Sequence, residues 1–397
     1  MTTTTDVYYD PYDREIDADP YPVYRRLREE APLYYNEQYD FFALSRFADV
    51  QRGLIDRQTF SSGHGSVLEF IKAGIEIPSG VVIFEDPPLH TVHRGILARL
   101  FTPKKVNELE PKVRAFCKRA LDPLVGSKRF DFVADLGAQL PMRTIGMLLG
   151  IPEDHQEEAR NRANNSLRTD PGKPMEVSAD EIGQGDFFAD YIDWRLTHPS
   201  DDLMTELLFA EFEDENGTTR RLTRDEVLLY VSVLSGAGNE TTNRLIGWMG
   251  KVLAEHPGQR RELVDDRSLI PNTIEELLRF EPPTPHVARY VTEDVVFYEQ
   301  LVPAGSAMLC LSGSANRDES KFPDPDRFDV HREIGHHLTF GRGIHICLGA
   351  PLARLEGRVA LDEVLNRFPE WDIDWANARR VPTSTVRGWE SMPALVA

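Results

Sequence analysis

Cysteine is scarce in this chain. Only three cysteines, Cys117, Cys310 and Cys347, occur among 397 residues, and no two of them form a C-x-x-C pair. Their wide spacing argues against the disulfide framework that small secreted domains use. The sequence therefore favours a reducing compartment, and we expect a cytoplasmic protein.

Positive charge and long apolar runs are also in short supply. Lysine and arginine number 45 against 65 acidic residues, and the formal net charge of −20 repels nucleic acid. The longest strongly apolar stretch, Val227 to Leu234, is far shorter than the roughly 20 residues of a membrane-spanning helix. Met1 to Pro20 lacks the basic and apolar regions of a signal peptide. We expect neither a nucleic-acid partner nor a membrane anchor.

No internal repeat and no glycine- and serine-rich linker divides the sequence. Although the length alone would allow about two or three domains, the lack of boundaries predicts one folded unit. We place it at residues 19–397, after an N-terminal tail of residues 1–18.

Hydrophobic periodicity predicts mostly helices, with strands near the N-terminus. A helix is expected over Tyr21 to Glu30 and strands within Leu33 to Leu44. Another helix should run from His90 to Phe101. Its i,i+4 spacing would place His90 and Arg94 over one surface spot, as a pair that binds one anion requires.

The second half of the chain supplies the other predicted elements. Asn272 is expected to cap a helix that ends at Phe280, and strands follow between Val287 and Phe297. The stretch Asn316 to Glu333 has prolines and charges without periodicity, which predicts an ordered irregular segment. The last helix is predicted from Leu348 to Phe368.

A capping box at Thr223 to Glu226 begins the longest predicted helix, which should run to Glu255. Gly236 and Gly238 lie near its middle, where each glycine costs roughly 1 kcal/mol relative to alanine. A ligand that approaches the helix closely, or a local bend, would justify that cost.

The most informative segment reads HHLTFGRGIHICLG and ends at Gly349. Gly341 and Gly343 allow a tight turn, and Cys347 would lie at the start of the last helix, where positive partial charge favours a thiolate.

The residues alone leave two other interpretations of Cys347 open. A lone free cysteine is often just a small buried hydrophobic side chain. Cys347 could also bind zinc with His345 and either His336 or His337, although this spacing matches no common zinc motif.

The segment resembles the haem-binding signature of the cytochromes P450, in the pattern Phe340-x-x-Gly343-x-His345-x-Cys347-x-Gly349. The resemblance extends from about Asp19 to Pro393. It implies a mainly α fold with a small β-rich part, in which haem b lies between the long helix and the last helix with Cys347 as iron ligand. The cofactor-binding positions that it implies are His90, Arg94, Ala237, Gly238, Arg289, Phe340, Gly341, His345, Cys347 and Gly349.

Two further motifs resemble the same family. Glu276 and Arg279 fit its E-x-x-R pair, which an arginine of the irregular segment completes; we expect Arg327, with Arg332 as the substitute.

The residues Ala237 to Thr242 resemble the family's oxygen-binding groove, in which Glu240 and Thr241 would relay protons. A threonine can instead bond back to its own helix, an interpretation that fits Thr242 better.

The resemblance implies a monooxygenase that oxidises an apolar small molecule with O2 and electrons from a ferredoxin and its reductase. A basic patch would receive the ferredoxin and consist of Lys104, Lys105, Arg342, Arg354 and Arg358. A peroxygenase or nitric oxide reductase needs no acid–alcohol pair, so Glu240 and Thr241 argue against these; a non-catalytic haem sensor is the third alternative.

The substrate pocket implied by the resemblance is apolar, which favours a terpenoid, steroid or fatty acyl substrate. Its expected residues are Val67, Val82, Ile83, Leu234, Ala237, Val287 and Trp389. The polar stretch from Leu167 to Asp186 is expected to be mobile.

Overall fold

Helices supply most of the regular structure, as predicted. The computed structural model describes residues 6–166, 168–177 and 185–396. Part of the polar stretch expected to be mobile, namely residues 167 and 178–184, therefore lies outside the described residues. The α-helices of the described ranges are α1 (Arg14–Ala18), α2 (Tyr21–Glu30), α3 (Phe47–Ile55), α4 (Leu68–Ala73), α5 (Leu89–Ala98), α6 (Pro103–Asn107), α7 (Glu110–Leu121), α8 (Leu140–Leu149), α9 (Glu153–Ser166), α10 (Ala189–Thr197), α11 (Leu203–Phe209), α12 (Arg224–Glu255), α13 (Pro257–Asp265), α14 (Ile270–Phe280), α15 (Ser312–Ala315) and α16 (Ala350–Arg367).

The strands form small sheets that lie beside the helical part. They are β1 (Leu33–Asn36), β2 (Phe41–Leu44), β3 (Phe60–Ser61), β4 (Arg129–Asp131), β5 (Glu211–Glu213), β6 (Thr219–Arg221), β7 (Val287–Val291), β8 (Val295–Phe297), β9 (Gln300–Val302), β10 (Ala307–Cys310), β11 (Trp371–Ile373), β12 (Arg379–Arg380), β13 (Trp389–Ser391) and β14 (Pro393–Val396). The largest described sheet has the order β1-β2-β10-β7-β3. It combines N-terminal strands with strands from far along the chain, so it forms only when the two regions meet.

The long helix α12 begins and ends where its capping signals predict. The Thr223 hydroxyl accepts a hydrogen bond from the Glu226 backbone N–H, and the Glu226 carboxylate accepts one from Thr223 N, which completes the capping box. The helix runs for 32 residues through the main hydrophobic cluster. It can therefore present side chains at its middle to groups from many parts of the chain.

The glycines of α12 have a packing reason. A Cβ atom on Gly238 would lie 3.2 Å from the Ile145 side chain of α8, and one on Gly250 would lie 2.5 Å from the ring of Phe132. Both contacts are tighter than ordinary van der Waals packing, so glycine allows neighbouring elements to approach α12 closely. On the side of Gly238 where a Cβ atom would lie, the close neighbour is α8.

Asn272 does not cap a helix. Helix α14 begins two residues earlier, at Ile270, and the side-chain amide of Asn272 donates instead to the backbone carbonyls of Val330 at 2.7 Å and Arg332 at 3.1 Å. This side chain fastens α14 to the irregular segment predicted at Asn316 to Glu333, which contains neither a helix nor a strand in the described chain.

The described part of the predicted N-terminal tail is packed onto the folded unit. Tyr9 is only 1% exposed, and its backbone carbonyl accepts a hydrogen bond of 2.9 Å from the Asn36 side chain. Tyr9 and Tyr12 belong to a hydrophobic cluster with α2 and the first strands. The tail boundary at residue 18 is therefore corrected, because aromatic burial holds the residues before it in place.

No helix within the described ranges combines the length and the apolar character that crossing a lipid bilayer would require.

Candidate active site

The turn before α16 places Cys347 at the start of that helix. Gly341 and Gly343 have φ angles of 69° and 72°, in the left-handed region that glycine adopts without strain. The backbone N–H of Cys347 donates to the Phe340 carbonyl oxygen at 2.8 Å, which closes the turn. Pro351 lies in the first turn of α16, where its missing N–H costs nothing. The predicted tight turn is confirmed.

The Cys347 thiol differs from the other two cysteines. Cys117 and Cys310 are buried, whereas the side chain of Cys347 is exposed. Surrounding protein raises the pKa of Cys347, while the backbone N–H groups of Gly349 and Ala350 and the charge of Arg94 lower it. The buried-hydrophobic interpretation therefore fits Cys117 and Cys310 and does not fit Cys347.

A zinc site around Cys347 is not formed. The described ranges contain no group of three or more histidine, cysteine, aspartate or glutamate side chains that could hold a metal ion. His336 lies near Gln51 and His337 near Glu275, at 3.1 and 3.3 Å, away from a shared centre with Cys347. The zinc alternative is wrong, because its candidate ligands point to different neighbours.

Four basic side chains gather near the Cys347 turn. The rings of His90 and His345 lie 4.3 Å apart between centroids, and the Nε2 atoms of both are buried without a hydrogen-bond partner in the described chain. Burial, with Arg289 and His90 nearby, lowers the pKa of His345 to about 3. Arg94 donates to the Ile346 carbonyl oxygen, next to Cys347.

Arg289 is the most unusual member of this group. It is 4% exposed, and the hydrogen bond found for its guanidinium runs to the neighbouring Ala288 carbonyl at 2.8 Å. Asp86 acts on Arg289 electrostatically, but its carboxylate accepts hydrogen bonds from Ser61, Ser62 and Gly63. A buried cation with so little compensation fits an anionic ligand.

These donors match the chemistry of haem. An accessible thiol can bind iron, and the four basic groups can bind the two carboxylates of a porphyrin. His90, Arg94, Arg289 and His345, which the resemblance implies as cofactor-binding positions, lie near one another in the structure. The buried Nε2 atoms of His90 and His345, which have no partner in the described chain, are the observation that supports the fit.

Helix α12 presents a second set of groups. Ala237 is exposed and Thr241 half-buried, and the Thr241 hydroxyl donates to the Ala237 carbonyl at 3.1 Å. Bonding back to the helix, which the sequence analysis assigned to Thr242, thus applies to Thr241. Thr242 is buried and shares a hydrogen bond with Glu356 of α16. The difference arises because α16 supplies Thr242 with a partner that the sequence of α12 cannot reveal.

Glu240 is buried, and its ion-pair partner was missed by sequence reasoning. Arg244, one helical turn later, donates through Nη2 to Glu240 Oε1, while Glu240 Oε2 has no partner among the described residues. The i,i+4 spacing was the available signal. Such spacing is also typical of solvated surface pairs, and only the burial shown by the structure distinguishes the two.

Comparison with known proteins agrees with this site. The family model described as "Cytochrome P450" matches residues 190–382, which include Cys347. The putative cytochrome P450 123 of Mycobacterium tuberculosis is 38% identical over 98% of this chain and 96% of its own length. The chain belongs to the cytochrome P450 family. Like other members, this P450 binds haem iron and works as a monooxygenase with O2, redox partners and a small-molecule substrate.

Two other relatives have informative names. The vitamin D(3) 25-hydroxylase of Pseudonocardia autotrophica is 33% identical to this P450 over 99% of this chain and 98% of the relative. CYP109E1 of Bacillus megaterium, solved in complex with testosterone, superposes with a TM-score of 0.85 at 28% identity, covering 96% of this chain and 98% of that chain. The mainly α P450 fold is thus confirmed.

The E-x-x-R pair of this P450 is completed by Arg332. Glu276 and Arg279 are both 0% exposed and joined by hydrogen bonds of 2.7 and 2.8 Å. Arg332 Nε donates to Glu276 Oε1 at 3.0 Å. The preference for Arg327 is wrong, because its side chain is exposed and pairs with Asp329 while only its backbone carbonyl meets the cluster.

The expected pocket residues do not all lie in one environment. Ile83 is 42% exposed, and Val67, Leu234 and Val287 are half-buried. Val82 is buried in the main core, which corrects its assignment.

Trp389 is also a core residue in this P450. Its ring packs at 5.7 Å from Trp248 and 6.0 Å from Trp375, between centroids, and it is 8% exposed. Its assignment to the substrate pocket is therefore corrected: hydrophobic character was visible in the sequence, but the partner that it contacts was not.

Glu356 is a buried acid that the sequence analysis overlooked. It lies on the buried face of α16, contacts Thr144 and Thr242, and leaves Oε1 without a partner in the described chain. Burial raises its pKa to about 8. An acid among Leu352, Leu355 and Val359 at helical spacing was the signal that could have identified it.

Proposed function

We propose that this P450 hydroxylates an apolar molecule of the steroid class, with Cys347 as iron ligand and electrons from a ferredoxin. The observation that carries the haem-thiolate part is the accessible Cys347 thiol near His90 and His345, whose Nε2 atoms have no partner in the described chain. The steroid class is supported by the relatives named for vitamin D(3) and solved with testosterone.

In this proposal Cys347 holds the iron, and Arg94, Arg289, His90 and His345 hold the porphyrin carboxylates. Haem bound in this way supplies the redox chemistry that activates O2. Ile83 and the other half-buried apolar side chains exclude water and orient the substrate.

Proton supply falls to Thr241 and Glu240. Because the Thr241 hydroxyl donates to Ala237, its oxygen remains able to accept a hydrogen bond from a water molecule or a reacting group. Glu240 Oε2 has no partner in the described chain and can take up and release a proton. The two groups together can pass protons from the helix interior towards the reacting oxygen.

Iron ligation by Cys347 can be tested by absorption spectroscopy. The reduced carbon monoxide complex should show the red-shifted band that thiolate ligation produces. Cys347→His should lose this band, whereas Cys310→Ala, which alters a buried cysteine, should retain it. A band retained in Cys347→His would overturn the assignment.

Two of the five cations expected to receive the ferredoxin have carboxylate partners. Lys105 pairs with Glu206, and Arg354 pairs with Glu275. The remaining cations are Lys104, Arg342 and Arg358, for which no carboxylate partner is found in the described ranges.

Electron transfer from a small acidic ferredoxin should therefore weaken with rising salt. Lys104→Ala should reduce the rate more than the matched change Lys105→Ala, because Glu206 already compensates the charge of Lys105. Transfer that is insensitive to salt would count against ferredoxin as the donor.

The substrate class can be tested by titrating the haem absorption band with ligands. A steroid, a long-chain fatty acid and a monoterpene of comparable solubility should be compared. We expect the steroid to bind with the lowest Kd and Ile83→Ala to weaken its binding. Tighter binding of the fatty acid would replace the proposed class.

A further inference from the structure

The buried pair of Glu240 and Arg244 fixes one oxygen of the acid and leaves the other available. Arg244 Nη2 donates to Glu240 Oε1, whereas Glu240 Oε2 is buried without a partner in the described chain. Both side chains are almost fully buried. Because Arg244 holds Oε1, Oε2 is the oxygen of Glu240 that can exchange a proton.

Arg244 is itself held from the other side by the C-terminal hairpin of β12 and β13. Its Nη1 donates to the Trp389 carbonyl oxygen. Gly388 makes this approach possible, because a Cβ atom there would lie 2.6 Å from Arg244 Cδ. Burial lowers the pKa of Arg244, while Glu240 and the more distant Glu390 favour its charged form.

Glu390 forms an ion pair with Arg168 at the protein surface. Arg168 Nη2 donates to Glu390 Oε1, and both side chains are exposed to solvent. Acidic and basic groups thus alternate in the order Glu240, Arg244, Glu390, Arg168. Glu390 and Arg168 also act on Arg244 electrostatically: Glu390 favours its charged form and Arg168 disfavours it.

Arg168 belongs to the segment 168–177, which rests on two other parts of the molecule. The backbone N–H of Thr169 donates to the Pro382 carbonyl at 3.0 Å, beside the C-terminal hairpin. The backbone N–H of Met175 donates to Glu69 Oε1 of α4 at 3.1 Å. A change in the position of this segment would therefore alter the pair of Arg168 and Glu390.

We propose that Arg244 is a positioning residue for proton supply, and that the four alternating charges couple the orientation of Glu240 to the position of segment 168–177. The proposal rests on the proposed role of Glu240. Each buried charge needs its neighbour, because a buried ion that loses its partner is strongly unfavourable. The influence of each group should decrease towards Arg168, where solvent and salt screen the interaction.

The test measures product and hydrogen peroxide formed per electron consumed in the holoenzyme. Without timely proton supply, O2 leaves with two electrons and two protons as hydrogen peroxide, and product per electron falls. Arg244→Met should lower the product yield about five- to tenfold, and Arg244→Lys should restore most of it. The Kd of the substrate, read from the haem band, should stay within about twofold of the wild type.

The role of Arg168, at the surface end of the four alternating charges, can be tested with a matched control. Arg168→Gln should lower the product yield about twofold, since it removes an exposed charge that acts at a distance. Lys173→Gln should leave the yield unchanged, because Lys173 lies in the same segment and pairs with the exposed Asp170. Equal yields in Arg168→Gln and Lys173→Gln would overturn the coupling to the segment.

A second readout does not depend on turnover. Urea unfolding of Glu240→Gln, Arg244→Met and the double variant should be non-additive, as directly coupled residues require. A wild-type product yield in Arg244→Met, together with a reduced yield in Glu240→Gln, would overturn the positioning role and leave the proposed function intact. A wild-type yield in Glu240→Gln as well would overturn the proposed role of Glu240 itself.

Discussion

The molecule contains two clusters of charged or basic groups that differ in their expected role: one is structural, and the other is a candidate ligand-binding site. In the first, Glu276, Arg279 and Arg332 compensate one another, and the two arginines also donate to backbone carbonyls. In the second, the Nε2 atoms of His90 and His345 are buried without a partner in the described chain, beside the buried guanidinium of Arg289. Each cluster contains a nearly fully buried arginine, Arg279 in the first and Arg289 in the second, but only the second leaves buried nitrogen atoms without a partner in the described chain.

Hydrogen-bond and charge compensation of polar groups, rather than burial or charge alone, therefore distinguishes a structural cluster from a candidate binding site. A fully compensated cluster stabilises the packing of the elements that it joins. Removal of one member leaves the remaining charges buried without a partner, which lowers the free energy of unfolding. An uncompensated cluster instead gains free energy when an anion arrives.

The compensated cluster should be the more sensitive to mutation. Glu276→Gln removes the charge that both arginines share, and we expect the free energy of unfolding to fall by about 3–5 kcal/mol. Arg327→Ala, which removes an exposed pair with Asp329, should change it by less than about 1 kcal/mol. Urea unfolding of the three proteins measures both values, and equal losses would refute the assignment of Arg332 as the third member.

Glu356 extends the contrast to an acid that has no cation partner in the described chain. Burial raises its pKa from the ordinary value of 4.5 to about 8, so the folded chain retains a proton that the unfolded chain releases over that range. Raising the pH from 4.5 to 8 should therefore lower the free energy of unfolding, by at most about 1.4 kcal/mol per pH unit from this group.

Glu356→Gln should remove this part of the pH dependence. Between about pH 6 and 8 we expect the wild type to lose about 2–3 kcal/mol more than the variant. Denaturant titrations at the two pH values measure the difference. Parallel pH profiles would mean that Glu356 is ionised in the folded state.

The uncompensated cluster should respond in the opposite way to loss of a cation. Arg289→Leu should weaken haem retention about 10- to 100-fold, as expected for loss of a charged hydrogen bond worth about 1.5–3 kcal/mol. The haem-free protein should be no less stable, because the variant no longer buries an uncompensated charge. Haem transfer to an acceptor protein and unfolding of the haem-free form test the two expectations. A destabilised haem-free variant would mean that Arg289 stabilises the fold in the absence of haem.

The two adjacent threonines of α12 give the smallest expected effect. Thr241→Ala should lower product per electron about tenfold while haem content and substrate affinity persist, although a water molecule can soften the loss. Alanine is a good helix former, so α12 should remain intact. Thr242→Ala should mainly affect stability, because Thr242 contacts Glu356. Product and hydrogen peroxide measured against reductant distinguish the two variants, and unchanged coupling in Thr241→Ala would remove it from the mechanism.

The local signals in the sequence were sufficient for much of the fold. Capping residues fixed the start of α12 at Thr223, and periodicity located α2 at Tyr21–Glu30 with both bounds correct. These features depend on residues within a few positions of one another. Asn272 was misjudged because it prefers a helix cap in isolation, whereas its amide bonds to carbonyls about 60 residues away.

Local patterns in the sequence were enough to identify the family motif around Cys347, the types of side chain at the site and the two glycines of its turn. Contacts between distant parts of the chain were needed to show that Arg332 rather than Arg327 meets Glu276, that α8 packs on Gly238, that Thr242 contacts Glu356, and that Arg244 joins Glu240 to the C-terminal hairpin. The physical reason is that compensation of a buried charge depends on groups brought together by packing. Those groups are far apart along the chain or share spacings that surface residues use as well.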